Sequence, residues 1–351
     1  MKIYKFITQI SIAGCMLVGT PMLQGCMDNS LNDPLGKVSE EELGRDGFAA
    51  NAFFLTLCDY AYPIATENIY NTNESLIGDC YGRYQVMATD KFKGANFATY
   101  NAPENWLNWQ FADDNVMVLT YGAWNKIKNV TQGTGVNFAW AQILRIATMH
   151  RMLDMYGALP YSQISSDKLS TPYDTMEEAY HAMFTDLTDA INVMTVYVTE
   201  NPNNRTMAKY DKVYDGDFEK WVKFANSLKL RMAIRIRFAD REYARQMAEE
   251  AINHSIGVIT SNEDNATSLG TKNQLYTVLV QWPDQCVSAD ITSYMKGYND
   301  PRMSKYFKKK TSDKGDDDYV GMRAGLSYGN DITGPTFSRI NVGEMDRTLW
   351  M

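Results

Sequence analysis

The sequence predicts a mainly α-helical fold, and three observations carry that prediction. Apolar residues recur at helical spacing through most of the long segments. Those segments open on residues able to cap a helix and close at glycine or proline. Strand patterning is weak, limited to short stretches such as Tyr276 to Val280.

The first helix is expected from Ser39 to Tyr60, because Ser39-x-x-Glu42 forms a capping box and Pro63 follows the end. From Val116 to Val130, Leu119, Trp124, Ile127 and Val130 share a face, and Gly133 and Gly135 stop the run. Phe138 to Tyr156 buries Phe138, Ile143, Leu144, Ala147 and Leu153, then ends at Gly157 with Pro160 beyond. Thr175-x-x-Glu178 is a second capping box, opening a helix to Met194. Its apolar stripe is Met176, Tyr180, Met183, Leu187, Ala190, Ile191 and Met194. Asp217 caps the next helix, where Trp221, Phe224, Leu228 and Met232 face inward among Arg231, Arg235, Arg237 and Arg241. A further helix runs from Arg241 to His254. Helix starts near 138, 175 and 217 recur roughly every 40 residues, loosely the rhythm of stacked helix–turn–helix units. The stretches Ala61 to Asp114, Thr195 to Gly216 and Gly257 to Met351 read as long loops, which bind something or hide further structure.

The N-terminus reads as an export signal. Lys2 and Lys5 precede an apolar stretch from Phe6 to Leu23, too short and too interrupted for a good membrane span. It closes on Leu23-Gln24-Gly25-Cys26, which looks like a lipobox: residues 1–25 are removed and Cys26 receives the acyl chains. Residues 26–37, polar and Pro-containing, are then a flexible tether, and residues 38–351 the folded domain. An acyl chain contributes about 0.8 kcal/mol per buried methylene, so several chains hold a protein on a bilayer without a helix of its own.

The chain has net charge −8, and losing a signal that holds two lysines and no acid makes it more acidic still. No Lys/Arg block suits nucleic acid, and chain-wide charge gives the body no reason to lie on anionic lipid. The membrane is therefore met through the lipid anchor only. Of 5 cysteines, Cys15 leaves with the signal and Cys26 is the lipid site. Cys58, Cys80 and Cys286 have no metal-ligand spacing; Cys58 and Cys80 are free to bridge outside the cell, or all three are small buried hydrophobes. The 22 Tyr and 7 Trp exceed what a core alone needs, and both types suit half-wet surfaces.

Several phrases carry a family resemblance. They are Tyr156-Gly157-Ala158-Leu159-Pro160-Tyr161-Ser162, Thr171-Pro172-Tyr173-Asp174-Thr175, the long run from Asp217 through Trp221 to Arg235, and Asn299-Asp300-Pro301-Arg302. With the lipobox, they resemble the SusD/RagB family of nutrient-binding outer-membrane lipoproteins of Bacteroidetes. The resemblance implies tetratricopeptide-like helix pairs with long irregular loops. It also implies a partner, a SusC-like TonB-dependent transporter, over whose extracellular mouth the lipoprotein sits as a hinged lid. It implies capture of glycan or peptide, with no catalysis and no cofactor. The family continues past this point into further helices. Leu349-Trp350-Met351 resembles the entrance to one, so the resemblance implies a domain incomplete at its C-terminus.

The expected ligand site is the loop Gly94 to Gln110, where Tyr100, Trp106 and Trp109 alternate with Asn96, Asn101, Asn105 and Asn108. A sugar offers an apolar C–H face for aromatic stacking and a hydroxyl edge for amides. The alternative is that these rings pack the loop onto the helices. Arg83, Trp282, Tyr81 and Tyr84 are further candidates of the same kind. Asp313 to Asp318 is acidic but fails the EF-hand pattern, so a solvated turn is expected rather than calcium. His150, His181 and His254 stand alone on separate helices, without triad order or zinc spacing. Arg231, Arg235 and Arg237 are expected to pair with acids on a neighbouring helix. Asp154 and Glu178 are the acids one would pair for a glycosidase, yet nothing places two carboxylates at the required separation. The reading is a cell-surface nutrient binder, with a surface-anchored glycoside hydrolase and a structural envelope lipoprotein as rivals.

Overall fold

The computed structural model describes residues 48–61, 66–89, 100–111, 116–164, 170–267, 273–282, 284–310, 318–326 and 337–343. The chain divides into residues 1–49 and a compact unit of residues 50–351, and the description below is of that unit. The expected signal, Cys26, the tether and the Ser39 capping box lie outside the described residues.

The unit is mainly α, as the periodicity predicts. Its first long helix is α1 (Phe48–Ala61). Next come α2 (Glu67–Tyr70) and a π-helix, Asn71–Asp79, leading to strand β1 (Gln85–Met87). A short helix, α3 (Glu104–Phe111), then precedes the stacked helices. These are α4 (Val116–Thr131), α5 (Gly135–Tyr156), α6 (Met176–Glu200), α7 (Phe218–Ile236) and α8 (Arg241–Ile252). Each packs on the next in sequence, the tetratricopeptide-like arrangement.

The middle helix, α5, is buried without a break from Ala139 to His150 and again at Met152 and Leu153. A helix buried on every side belongs at the centre of a stack, and α4 and α6 cover it. Within it lies a buried guanidinium. Arg145 Cζ sits 4.0 Å from the Trp124 ring centroid and 3.9 Å from that of Tyr161. Its Nη2 donates to the Tyr161 carbonyl at 2.6 Å, and Asp186 lies 3.7 Å away.

Caps fall where the sequence puts them. Thr175 and Glu178 complete their capping box at the start of α6. Asp217 accepts from the Glu219 and Lys220 amides and opens α7. Gly157 ends α5 at φ +80, its N–H bonded to the Leu153 carbonyl, a conformation that L side chains rarely adopt. The turn before α7 is built around Asp211. That carboxylate accepts from the amides of Val213, Tyr214 and Gly216 and from Trp221 Nε1 at 2.7 Å. Trp221 in turn stands among Trp140, Tyr214 and Phe224, with ring centroids between 5.2 and 5.7 Å. The run from Asp217 to Arg235 is thus both a cap and the aromatic centre of the core.

Three expectations on element boundaries change. Helix α5 starts at Gly135 rather than Phe138, after Thr134. Helix α6 runs past Met194 to Glu200, with Thr195 and Thr199 bonding carbonyls one turn back. Tyr276 to Val280 is helical, not strand. It lies in α9 (Gln274–Tyr276) and the π-helix Thr277–Gln281. The Asn273 side chain caps the start by accepting the Leu275 amide, and Val278 and Leu279 are both buried.

The expected loop from 257 onward holds further elements: β2 (Gln285–Val287), α10 (Ala289–Gly297), α11 (Met303–Tyr306), β3 (Phe307–Lys308) and β4 (Arg339–Ile340). β1 pairs antiparallel with β2, Val86 opposite Cys286, and β3 pairs antiparallel with β4. The three cysteines Cys58, Cys80 and Cys286 are free and buried, so no Cys58–Cys80 bridge exists and they act as small apolar side chains. No described helix is long and apolar enough to cross a membrane.

Candidate functional site

The residues after the first π-helix reverse the chain sharply. The amides of Gly82, Arg83 and Tyr84 donate back to the carbonyls of Gly78, Cys80 and Asp79, and Arg83 takes φ +61. This turn presents Tyr81, Arg83 and Tyr84 together. Tyr100, also at φ +61, comes in opposite. Its ring lies 4.9 Å from that of Tyr81, and the Arg83 guanidinium lies 5.7 Å from its centroid. Tyr100 is 61% exposed, so one ring face stays open beside this cluster, and Asn101 is exposed next to it.

The stretch expected as loop is partly helix, since Trp106 and Trp109 fall on α3. Their side chains, and residues 90–99 with Asn96, lie outside the described part. Tyr156 Oη donates to the Leu107 carbonyl at 2.9 Å, and its ring meets Phe111 at 5.2 Å. Trp282 does not join this group. It is half-buried against Tyr70, Val278 and Leu279.

Tyr84, 56% exposed, opens a cleft of about 930 Å³ that the sequence reading missed. Its wall is α10 with the residue that caps it: Tyr294 and Tyr298 stand one turn apart with rings 5.6 Å from each other. Tyr306, at the end of α11, faces the same space. Tyr294 and Tyr298 are 69% and 77% exposed. Polar groups share the lining. Arg302 forks onto Asp300 with contacts from 2.5 to 3.1 Å and holds that carboxyl down to about 2. Asp79 lines the cleft too. Burial pushes its carboxyl up to about 7, against the opposing effect of Gln85 Nε2, which donates to it at 2.7 Å. Arg83 Nη1 lies 3.9 Å from Asp290 in the first turn of α10, linking the Tyr81–Tyr100 cluster to the helix that walls the cleft. The π-helix Asn71–Asp79 contributes Asp79 to this region, and such segments recur at functional sites. The Tyr294-x-x-x-Tyr298 spacing was the available sequence signal, concealed once residues beyond 257 read as loop.

The other candidates are engaged structurally. Asp154 is held by Arg235 at 2.7 Å and by Tyr180 Oη at 2.6 Å, and Glu178 by its capping box. Arg235 thus pairs across helices as expected, while Arg237 stacks on Phe238 instead. His150 is buried against the Ile146 carbonyl, and burial lowers its pKa to about 4. His181 meets Asp240, and His254 meets Thr195. Asp318 accepts from Lys296 at 2.6 Å, while residues 313–317 lie outside the described part. Among the described residues no three His, Cys, Asp or Glu side chains gather as a metal would need.

Stacked helix pairs bearing an exposed tyrosine surface on their irregular flank define a helical-repeat protein with an open, ring-lined cleft. The model of the SusD-like family, described as Susd and RagB outer membrane lipoprotein, matches residues 30–351, and the chain belongs to that family. Among solved structures, it is similar to a SusD homolog from Bacteroides uniformis at 35% identity and TM-score 0.77, covering 87% of this chain and 64% of that one. A SusD homolog from Bacteroides thetaiotaomicron is 31% identical with TM-score 0.76, over 86% of this chain and 61% of its own. A chitin-binding SusD homolog from Flavobacterium johnsoniae is 32% identical with TM-score 0.72, over 83% and 60%. The chain therefore spans about three fifths of the length of these relatives. No curated protein matches it.

Proposed function

We propose that this protein is a surface lipoprotein, anchored through Cys26, that binds a glycan and delivers it to a SusC-like TonB-dependent transporter. The observation that carries the reading is the exposed tyrosine surface. Tyr294, Tyr298, Tyr306 and Tyr84 line the cleft, and the adjoining Tyr81–Arg83–Tyr100 cluster extends it. Aromatic faces stack on the C–H faces of sugar rings. Carboxylates, amides and guanidinium groups at Asp79, Gln85, Asn101 and Arg302 bond the hydroxyl edge. Trp106 and Trp109 on α3 belong to the same ligand-binding face in this proposal, with Trp282 supporting it from behind. The chitin-binding relative favours a polysaccharide over a peptide. Binding rather than bond cleavage fits a site whose rings are open and whose nearby acids are paired or hydrogen-bonded.

Affinity electrophoresis through a panel of polysaccharides, chitin among them, tests the reading. Retention on one polymer should be lost in Tyr298→Ala, and in Trp106→Ala or Trp109→Ala, with circular dichroism unchanged. Full retention in all three variants refutes the assignment. Mass spectrometry of Cys26 from the native host tests the anchor. Recovery of a β-barrel partner from solubilised outer membranes tests delivery.

A further inference from the structure

The tip between α7 and α8 bears a surface that ligand capture leaves unused. Phe238 is 87% exposed, and Ile234, one turn earlier, is 53% exposed. Arg237, Arg241 and Arg245 follow at four-residue spacing and share with both apolar residues a shallow hollow of about 540 Å³. Among the described residues neither Arg237 nor Arg241 has an acid within ion-pair distance, and Arg245 meets only Glu249 on its own helix. Arg237 instead lies 4.5 Å from the Phe238 ring centroid.

Local stability explains only Arg237, which caps the C-terminus of α7, where a cation is favoured. Arg241 is the first residue of α8, where the positive end of the helix disfavours a cation. A bare phenylalanine gains nothing in water. A local rule broken without an internal return points to an external contact. The whole chain has net charge −8, so this concentration of cations runs against the sign of the molecule and selects an anionic occupant.

We propose that this tip rests on an anionic lipid surface, with Phe238 entering the interface and Arg237, Arg241 and Arg245 pairing with headgroup phosphates. Guanidinium forks suit phosphate, and a protruding ring flanked by cations suits the boundary between headgroups and acyl chains. The family is described as outer membrane lipoproteins, which puts a bilayer within reach of the folded body. The contact goes beyond ligand capture and adds a second membrane attachment to the lipid anchor.

The test uses the mature chain from residue 26 onward carrying Cys26→Ser, so that neither signal nor acyl chain contributes. It is sedimented with vesicles of phosphatidylcholine alone or doped with phosphatidylglycerol. The chain should bind the doped vesicles only, and added salt should weaken that binding. R237E/R241E should weaken it roughly hundredfold, and F238S roughly tenfold. R237K/R241K should keep most of it, because charge is retained. All these side chains are exposed, and circular dichroism reports whether each variant is folded. Equal sedimentation with both vesicle types, or unchanged binding by R237E/R241E, overturns the proposal. So does a result in which vesicles are ignored while the same variants lose a protein co-purified from outer membranes; the surface then belongs to a protein partner.

Discussion

Replacing Arg145 by lysine separates the shape of the guanidinium from its charge. The Arg145 Cζ lies about 4 Å from the ring centroids of both Trp124 and Tyr161, with that of Tyr121 at 5.5 Å. Each close, desolvated face contributes roughly 1–2 kcal/mol. A charge-assisted hydrogen bond such as that to the Tyr161 carbonyl contributes about 1.5–3 kcal/mol, and lysine can keep one of these. Lysine loses both stacked faces and recovers about 1 kcal/mol, because the buried, unbonded Nε of the arginine disappears. The net expectation is a loss of about 1–3 kcal/mol, or a fall in Tm of roughly 2–5 °C for a unit of this size. Thermal unfolding followed by far-ultraviolet circular dichroism, with a parallel urea titration, measures it. A lysine variant that melts within about 1 °C of the parent would refute the reasoning, since charge alone would then suffice.

Asp79→Asn should change the pH dependence of stability. Burial raises the Asp79 carboxyl to about 7 in the folded chain, above its unfolded value, so its contribution is present at low pH and lost as pH rises to about 7. The asparagine variant should therefore melt above the parent at pH 8, with the two curves converging towards pH 4; a constant offset across that range excludes the mechanism. Asp211→Ala strands three backbone amides and the Trp221 indole N–H, and should cost about 4 kcal/mol by urea unfolding, against about 2–3 kcal/mol for Trp221→Phe, a change that leaves the carboxylate its three amides but opens a small cavity in the core. Gly216→Ala should destabilise by roughly 1–3 kcal/mol, because Gly216 has φ +76 and a Cβ there would lie 2.8 Å from the Ala208 amide nitrogen; an unchanged urea midpoint would show that the turn yields.

The stacked helices were legible in the sequence because their signals are local. Thr175 with Glu178, Asp217, and Gly157 followed by Pro160 each act within one turn, and the apolar stripe of α6 repeats often enough to set its register. β1 and β2 had no such signal. Each is three residues long and buried throughout, so neither shows the alternation that marks a strand. The π-helix Thr277–Gln281 misled for a related reason: β-branched Thr277, Val278 and Val280 favour a strand, but packing against Tyr70 and the Asn273 cap decide otherwise.

The sequence by itself determined the family, the helical class and the caps, since each depends on neighbours a few positions away. Only the tertiary structure decided which rings share a surface. Tyr84 and Tyr298 face one cleft because the turn at Arg83 and the β1–β2 pairing bring residues more than two hundred positions apart to one edge, and no local spacing encodes that meeting. Charge divides the same way. The net total describes the chain as acidic, whereas the hairpin of α7 and α8 gathers arginines that the total conceals.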